Sequence, residues 1–275
     1  MPVCNVCHNH CSLNDGQTGF CLARICKAGA IISSNYGQIT SIALDPIEKK
    51  PLARFFPGSL IVSVGSYGCN LRCPFCQNHS ISYGIGRDIQ TEYVSPEELV
   101  GIALSYTDKG NIGIAFTYNE PLIGYEYVRD TAKLAHENGL KTVLVSNGCA
   151  TKEILSEILP YIDAMNIDLK GFTDEYYNDF LKGNRQMVMD FIKTAAPSCH
   201  MEITTLIVPG YNDSEKEMAA ISKWIAAIDK NIPLHISRYF PRFHMPDNPA
   251  TDVDLIYRLA DVARENLTYV YTGNC

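Results

Sequence analysis

From residue 60 onward, short apolar runs rich in β-branched residues alternate with longer stretches whose apolar positions recur every three or four residues. The short runs predict strands over residues 60–64, 112–117, 141–146, 164–169, 202–208 and 234–237, with a weaker one over 268–271. The periodic stretches predict helices over residues 96–105, 121–138, 152–159, 176–181 with 186–195, 214–228 and 252–265. Two of these starts carry capping signals, Ser95 with Glu98 and Ser214 with Glu217, and Gly139 stops the helix before Lys141. Strict alternation of this kind implies parallel strands joined by right-handed crossovers. About six βα units are present, fewer than the eight of a closed barrel. The expected fold is α/β: a partial (βα)6 TIM-like barrel, open on one side.

The first fifty residues read differently. Residues 30–32 and 39–44 are apolar and flank Asn35-Tyr36-Gly37, a pattern that predicts a β-hairpin. Residues 45–58 carry prolines and large apolar side chains, too many for a free linker, so the connector is expected to pack against the barrel. The division is drawn as a cysteine-rich segment over residues 1–50 and a barrel over 51–275.

Composition narrows the class. With 46% apolar and 19% charged residues in 275, the chain can bury a large core. A net charge of −7 argues against a nucleic-acid backbone as partner. No apolar run approaches the ~18 residues of a membrane span, and the N-terminus lacks the charged and apolar regions of a signal peptide. The expected location is the cytosol, where 11 cysteines point to metal or redox chemistry rather than disulfides.

Those cysteines fall into two groups. Cys4, Cys7, Cys11 and Cys21 are spaced C-x2-C-x3-C-x9-C, with Gly16 and Gly19 in the return loop. A structural zinc site is the simplest reading of a segment too small to hold itself together by burial. A second iron–sulfur cluster is the rival, since thiolates suit both. Cys26 lies outside the pattern as a spare or alternate ligand, and His8 and His10 read as exposed loop residues. The second group, Cys69, Cys73 and Cys76, is spaced C-x3-C-x2-C in a loop that Gly65 and Gly68 open after the first strand. Three thiolates with no fourth nearby are incomplete for a closed site. They suit a [4Fe–4S] cluster that keeps one iron open; the bland alternative is three ordinary buried cysteines or part of a zinc knuckle.

Polar residues crowd the ends of the predicted strands. They include Thr117 to Glu120, Ser146-Asn147-Gly148, Asn166, Asp168 and Lys170, Glu202, Thr204 and Thr205, and His235, Ser237 and Arg238. In a parallel α/β fold the strand C-termini share one face, where the chemistry sits.

The stretch Cys69-Asn70-Leu71-Arg72-Cys73-Pro74-Phe75-Cys76-Gln77-Asn78 closely resembles the cluster loop of the radical S-adenosylmethionine (radical SAM) enzymes. Over residues 4–274 the chain is similar to the radical SAM enzymes of the AmmeMemoRadiSam system, a branch related to pyruvate formate-lyase activating enzymes. The run over residues 45–52, together with Asn166-Ile167-Asp168-Leu169-Lys170-Gly171 and Val208-Pro209-Gly210-Tyr211-Asn212-Asp213, carries that likeness.

The resemblance implies that Cys69, Cys73 and Cys76 hold the cluster and that Phe75 lies beside the adenine. It places Asn119 and Glu120 where the family carries a Gly-Gly-Glu-like element for the amino group of SAM; a helix N-terminal Glu is the plain alternative. It makes Ser146 and Asn147 a ribose-contacting turn, against a simple β-to-α turn. Asp168 would bind a monovalent cation or SAM, and Lys170 the SAM carboxylate or the substrate. His235 would lie near the ribose, unless it is a satisfied core histidine. The implied activity is reductive cleavage of SAM to a 5′-deoxyadenosyl radical that abstracts a hydrogen atom. A flavodoxin or ferredoxin type reductant is implied, and a protein substrate bearing the target glycine is one option. A non-catalytic iron–sulfur or zinc protein is the alternative of a different class.

Overall fold

The computed structural model describes residues 1–84 and 89–275. After the first cysteines come β1 (Arg24–Lys27), β2 (Ala30–Ser33), β3 (Gln38–Ile39) and β4 (Ser41–Pro46). The barrel region then runs β5 (Leu60–Gly65), α1 (His79–Ser82), β6 (Glu92–Tyr93), α2 (Pro96–Leu104), β7 (Asn111–Phe116), α3 (Tyr125–Glu137) and β8 (Lys141–Ser146). It continues with α4 (Lys152–Ile158), β9 (Ala164–Asp168), α5 (Arg185–Ala195), β10 (His200–Ile207), α6 (Glu215–Asp229), β11 (Leu234–Arg238), α7 (Val253–Arg264) and β12 (Val270–Gly273).

Eight strands form one sheet in the order β12-β11-β10-β9-β8-β7-β5-β4. Every pairing in it is parallel except β4 with β5. Because consecutive strands are neighbours and the crossovers share one hand, the helices gather on one face. The end strands β4 and β12 are not paired with each other, which is the open side expected of a partial barrel.

The strands alternate between two cores. Val62, Ile114, Leu144 and Met165 pack outward into the large helix-covered cluster. In α7 the buried residues Ile256, Leu259, Ala260 and Ala263 make the one apolar stripe such a helix needs. Ile61, Ala115, Val143 and Ala164 point inward and meet Ile47, Leu52 and Phe55 of the connector. That connector plugs the inner face. Its backbone is pinned by Glu202, whose carboxylate accepts the N–H groups of Ala53 at 3.0 Å and Arg54 at 2.8 Å. Asn166 Nδ2 donates to the Pro51 carbonyl at 2.7 Å, and the Arg54 guanidinium stacks 3.8 Å from the centre of the Tyr269 ring.

One expectation fails. Residues 30–32 and 39–44 do not form a hairpin with each other: β2 pairs with β1, and β4 pairs with β5. Ala28 and Gly29 both have positive φ, 51° and 78°, the tight two-residue turn that matches strand twist; it closes the earlier hairpin instead. The segment over residues 1–50 thus gives its last strand to the barrel sheet. The helix expected over 121–138 begins as a single 3-10 turn at Pro121–Gly124 before α3, and Tyr176–Phe180 is one turn of π-helix. No helix among the described residues is long and apolar enough to cross a membrane.

Candidate active site

β5 ends at Gly65, and the thiol loop begins. A Cβ on Gly65 would lie 2.7 Å from the Tyr118 ring, so only glycine lets the two segments approach. Gly68 is constrained twice: its φ is +89°, and a Cβ there would stand 2.5 Å from the Cys21 carbonyl. The loop is held by its backbone. Cys69 N–H donates to the Cys21 carbonyl at 3.1 Å, Arg72 N–H to Leu181 at 2.8 Å and Cys76 N–H to Cys73 at 3.2 Å. The Arg72 guanidinium bonds the Cys69, Leu71 and Phe20 carbonyls and stacks 3.8 Å from the Phe20 ring centre. His244 N–H reaches over from the segment after β11 to the Pro74 carbonyl at 2.9 Å.

Donors also reach the Cys69 sulfur. Cys69 Sγ accepts from Leu71 N–H at 3.4 Å and from Asn147 Nδ2 at 3.7 Å. Burial pushes the Cys69 thiol well up, helped by the Glu120 carboxylate. Burial pushes Cys73 up to about 11, with Lys170 opposing it. Thiols so buried become thiolates when a metal supplies the compensating charge. Phe75 is buried between Phe180 and Tyr239, with ring centroids at 6.0 Å and 6.2 Å.

Glu120 follows β7 and is 3% exposed. Its carboxylate accepts from Leu122 N–H at 3.0 Å, Ser146 Oγ at 2.7 Å and Asn147 N–H at 2.8 Å. Burial outweighs these bonds and raises it to about 7. The Asn119 side chain is spent on the backbone: its Oδ1 accepts Ser66 N–H at 2.9 Å, and its Nδ2 donates to Tyr67 and Gly68 carbonyls at 3.1 Å and 3.2 Å. Asn147 Nδ2 also donates to Asn70 Oδ1 at 2.8 Å. Asp168, at the end of β9, pairs with Lys170 Nζ at 2.8 Å. Burial disfavours the Lys170 charge, yet Asp168 and the Cys73 thiol more than offset it and hold the ammonium well above its ordinary value.

The structure therefore brings Cys69, Cys73, Cys76, Glu120, Ser146, Asn147, Asp168 and Lys170 to one end of the sheet. His235 is engaged elsewhere. Its Nε2 donates to Glu202 Oε2 at 2.6 Å, and its ring stacks on Tyr271.

The comparisons with known proteins agree with this geometry. The Radical SAM superfamily description matches residues 63–221. The chain belongs to the radical SAM superfamily. This radical SAM protein is 39% identical over 274 residues to "Uncharacterized protein MJ0808" of Methanocaldococcus jannaschii, covering 98% of the chain and 80% of the relative. It is 27% identical over 203 residues to the pyruvate formate-lyase-activating enzyme of Clostridium pasteurianum, covering 71% and 80% of the two. In fold it matches Streptococcus suis SuiB bound to S-adenosylmethionine, with a TM-score of 0.59 at 14% identity over 76% of this chain and 48% of the other. The family implies a [4Fe–4S] cluster and SAM for this enzyme, and one buried and two half-buried thiols on one loop, with N–H donors at the Cys69 sulfur, fit a cluster.

Several residues of the site escape sequence reasoning. Asn70 sits between Cys69 and the rest, with its Nδ2 donating to the Cys149 carbonyl at 2.7 Å. Tyr118, at φ +71°, extends its hydroxyl to Asp45 Oδ2 at 2.8 Å. Asp45 also binds Lys50 at 2.9 Å, and Lys50 is 3% exposed. The clue was the charged run over residues 45–52 inside an otherwise apolar connector.

Of the four N-terminal thiols, Cys4, Cys7 and Cys21 are buried and Cys11 is half-buried. Val3 and Ser12 bridge antiparallel, so Cys4 faces Cys11, and Cys4 N–H donates to the Cys11 carbonyl at 2.9 Å. Among the described residues, no three His, Cys, Asp or Glu side chains converge as they would on a single metal ion.

Proposed function

We propose that the chain cleaves S-adenosylmethionine reductively at a [4Fe–4S] cluster held by Cys69, Cys73 and Cys76, and uses the resulting radical on a substrate. The observation that carries this reading is the loop itself. Three thiols follow one strand, no fourth accompanies them, and the Lys170 ammonium lies beside Cys73. Bound there, the cluster and SAM supply a 5′-deoxyadenosyl radical able to abstract a hydrogen atom.

The chain's own residues bind and orient. Glu120 offers the SAM amino group a carboxylate whose remaining partners already fix it. Ser146 and Asn147 act chiefly by holding Glu120 and the Cys69 sulfur, rather than by ribose contact alone. Asn119 keeps Gly68 in place. Asp168 fixes Lys170, which presents its charge to the SAM carboxylate or the substrate. Phe75 provides an apolar surface for the adenine, and the plugged inner face excludes water from below. His235 serves as part of that floor. An external one-electron donor of the flavodoxin or ferredoxin type completes the reaction.

A second reading makes the substrate a glycine of a partner protein. The similarity to the pyruvate formate-lyase-activating enzyme of Clostridium pasteurianum favours it, and the gap between β4 and β12 gives a protein loop a side entrance.

The test is spectroscopic. The wild type and Cys73→Ala are reconstituted with iron and sulfide without oxygen, reduced, and titrated with SAM. A reduced-cluster EPR signal that changes on SAM addition in the wild type alone supports the reading. A reduced cluster indifferent to SAM contradicts it and leaves the non-catalytic iron–sulfur alternative.

A further inference from the structure

The π turn Tyr176–Phe180 follows β9 and the Asp168–Lys170 pair, and its first residue is held from several sides. Tyr176 N–H donates to Thr173 Oγ1 at 3.2 Å. Its carbonyl accepts Leu181 N–H at 3.1 Å, and the Leu181 carbonyl in turn accepts Arg72 N–H of the thiol loop at 2.8 Å. The Tyr176 ring lies over Gly171, where a Cβ would stand 2.6 Å from Cδ1 and 3.0 Å from Cε1. Only a glycine beside Lys170 lets the ring come so close. The ring centroid is 5.3 Å from that of Phe180, which lies 6.0 Å from Phe75. Tyr176 is thus next to the strand end that bears Lys170, and one aromatic neighbour away from the loop that bears Cys73.

Its hydroxyl differs from those of the other phenols around the site. Tyr176 is 4% exposed, and its Oη has no hydrogen-bond partner among the described residues. Tyr83 Oη donates to the Cys73 carbonyl at 3.1 Å, and Tyr239 Oη to the Met245 carbonyl at 2.8 Å. Tyr177 Oη accepts Lys170 N–H at 2.9 Å. Burying a hydroxyl without a partner is unfavourable, and phenylalanine has the same shape without that cost. Burial pushes the Tyr176 phenol well above its ordinary value; the Cys73 thiol adds to this and the Lys170 ammonium opposes it. The hydroxyl therefore keeps its proton and can donate.

Lys170 is also short of acceptors. An ammonium carries three N–H donors, and Asp168 Oδ2 at 2.8 Å is its one hydrogen-bond partner among the described residues. An ammonium and a phenol with donors to spare, beside the apolar rings of Phe75 and Phe180, suit a bound carboxylate. The Cys73 sulfur is another acceptor nearby, but no hydrogen bond joins it to the hydroxyl.

We propose that the Tyr176 hydroxyl donates a hydrogen bond to the carboxylate of bound SAM, as a second donor beside Lys170. This assignment rests on the SAM-binding function proposed above. Tyr177, one residue further on, has the structural role, since its hydroxyl holds the Lys170 backbone.

Tyr176→Phe and Tyr177→Phe test this in the full-length protein, reconstituted with iron and sulfide without oxygen. Before SAM is added, Tyr176→Phe should bind as much iron as the wild type and unfold at the same temperature or higher. Tyr177→Phe strands the Lys170 N–H and should unfold about 2–4 °C lower. A comparable loss in Tyr176→Phe would make its hydroxyl structural and overturn the proposal. Titrated with SAM by calorimetry, Tyr176→Phe should bind about tenfold more weakly than the wild type, with the cluster potential unchanged. Decarboxylated SAM should bind both proteins equally weakly; a tenfold difference there as well overturns the carboxylate assignment. Unchanged SAM affinity with a shifted cluster potential would make the cluster the acceptor, and unchanged affinity in any form refutes the proposal while leaving SAM cleavage standing. A wild type that binds no SAM overturns that reading and this inference together.

Discussion

His235 Nε2 donates to Glu202 Oε2 at 2.6 Å, and the carboxylate it meets is fully buried on the inner face of the sheet. His200 Nε2 takes Oε1 at 2.8 Å, while Ala53 and Arg54 supply the backbone donors. Burial alone would raise Glu202, but the four donors outweigh it and hold the group near 2 against an ordinary 4.5. A depressed carboxylate stabilises the fold above its unfolded value and loses that contribution as pH falls through its folded value. Glu202→Gln should therefore cost about 3 kcal/mol at neutral pH. The difference from wild type should shrink between pH 4.5 and 2. Denaturant unfolding across pH measures it; a constant gap down to the acid limit contradicts the assignment.

Lys50 and Asp45 form a buried pair at 2.9 Å, with the Lys50 ammonium 4.8 Å from the Tyr118 ring centre. Removing one partner strands the other. Lys50→Met should lower stability by about 3 kcal/mol, and adding Asp45→Asn should recover much of it. A thermal-unfolding cycle of the two single variants and the double one reads the coupling.

Gly68→Ala strikes the cluster loop directly, because its φ of +89° and the nearby Cys21 carbonyl both reject a side chain. The substitution should cost about 2 kcal/mol or more and reduce the iron bound after reconstitution. Gly101→Ala, where a Cβ meets nothing within 4 Å, is the control and should stabilise slightly.

Glu120→Gln keeps the shape but swaps an acceptor for a donor opposite either Asn147 N–H or the Leu122 N–H and Ser146 hydroxyl. It should destabilise the fold by about 1–3 kcal/mol and weaken SAM binding at least tenfold, measured by calorimetry on the reconstituted protein. Unchanged affinity would remove Glu120 from the SAM site.

Much of this was legible in the chain. Buried parallel strands read as continuous apolar runs, as Leu60–Gly65 does, so the barrel strands were found close to their observed bounds. The loop proposed to hold the cluster was marked by its thiol spacing. The hairpin was misplaced because Ala28 hides a left-handed turn that sequence credits to Asn35-Tyr36-Gly37. Polar residues at strand ends were ambiguous for a physical reason. Asn119 satisfies backbone groups and Glu120 sits at the same rim, yet both carry the same polar signature. Sequence left His235 between the ribose and a satisfied core place, because its partner Glu202 lies on a neighbouring strand, 33 residues away.

The most direct test of the central claim is 5′-deoxyadenosine formation. Wild type and Cys73→Ala are reconstituted without oxygen, given dithionite and SAM, and assayed for the product by mass spectrometry. Product from the wild type and none from Cys73→Ala is the expected result. No product from a wild type with a full, reduced cluster and bound SAM would contradict SAM cleavage by this chain.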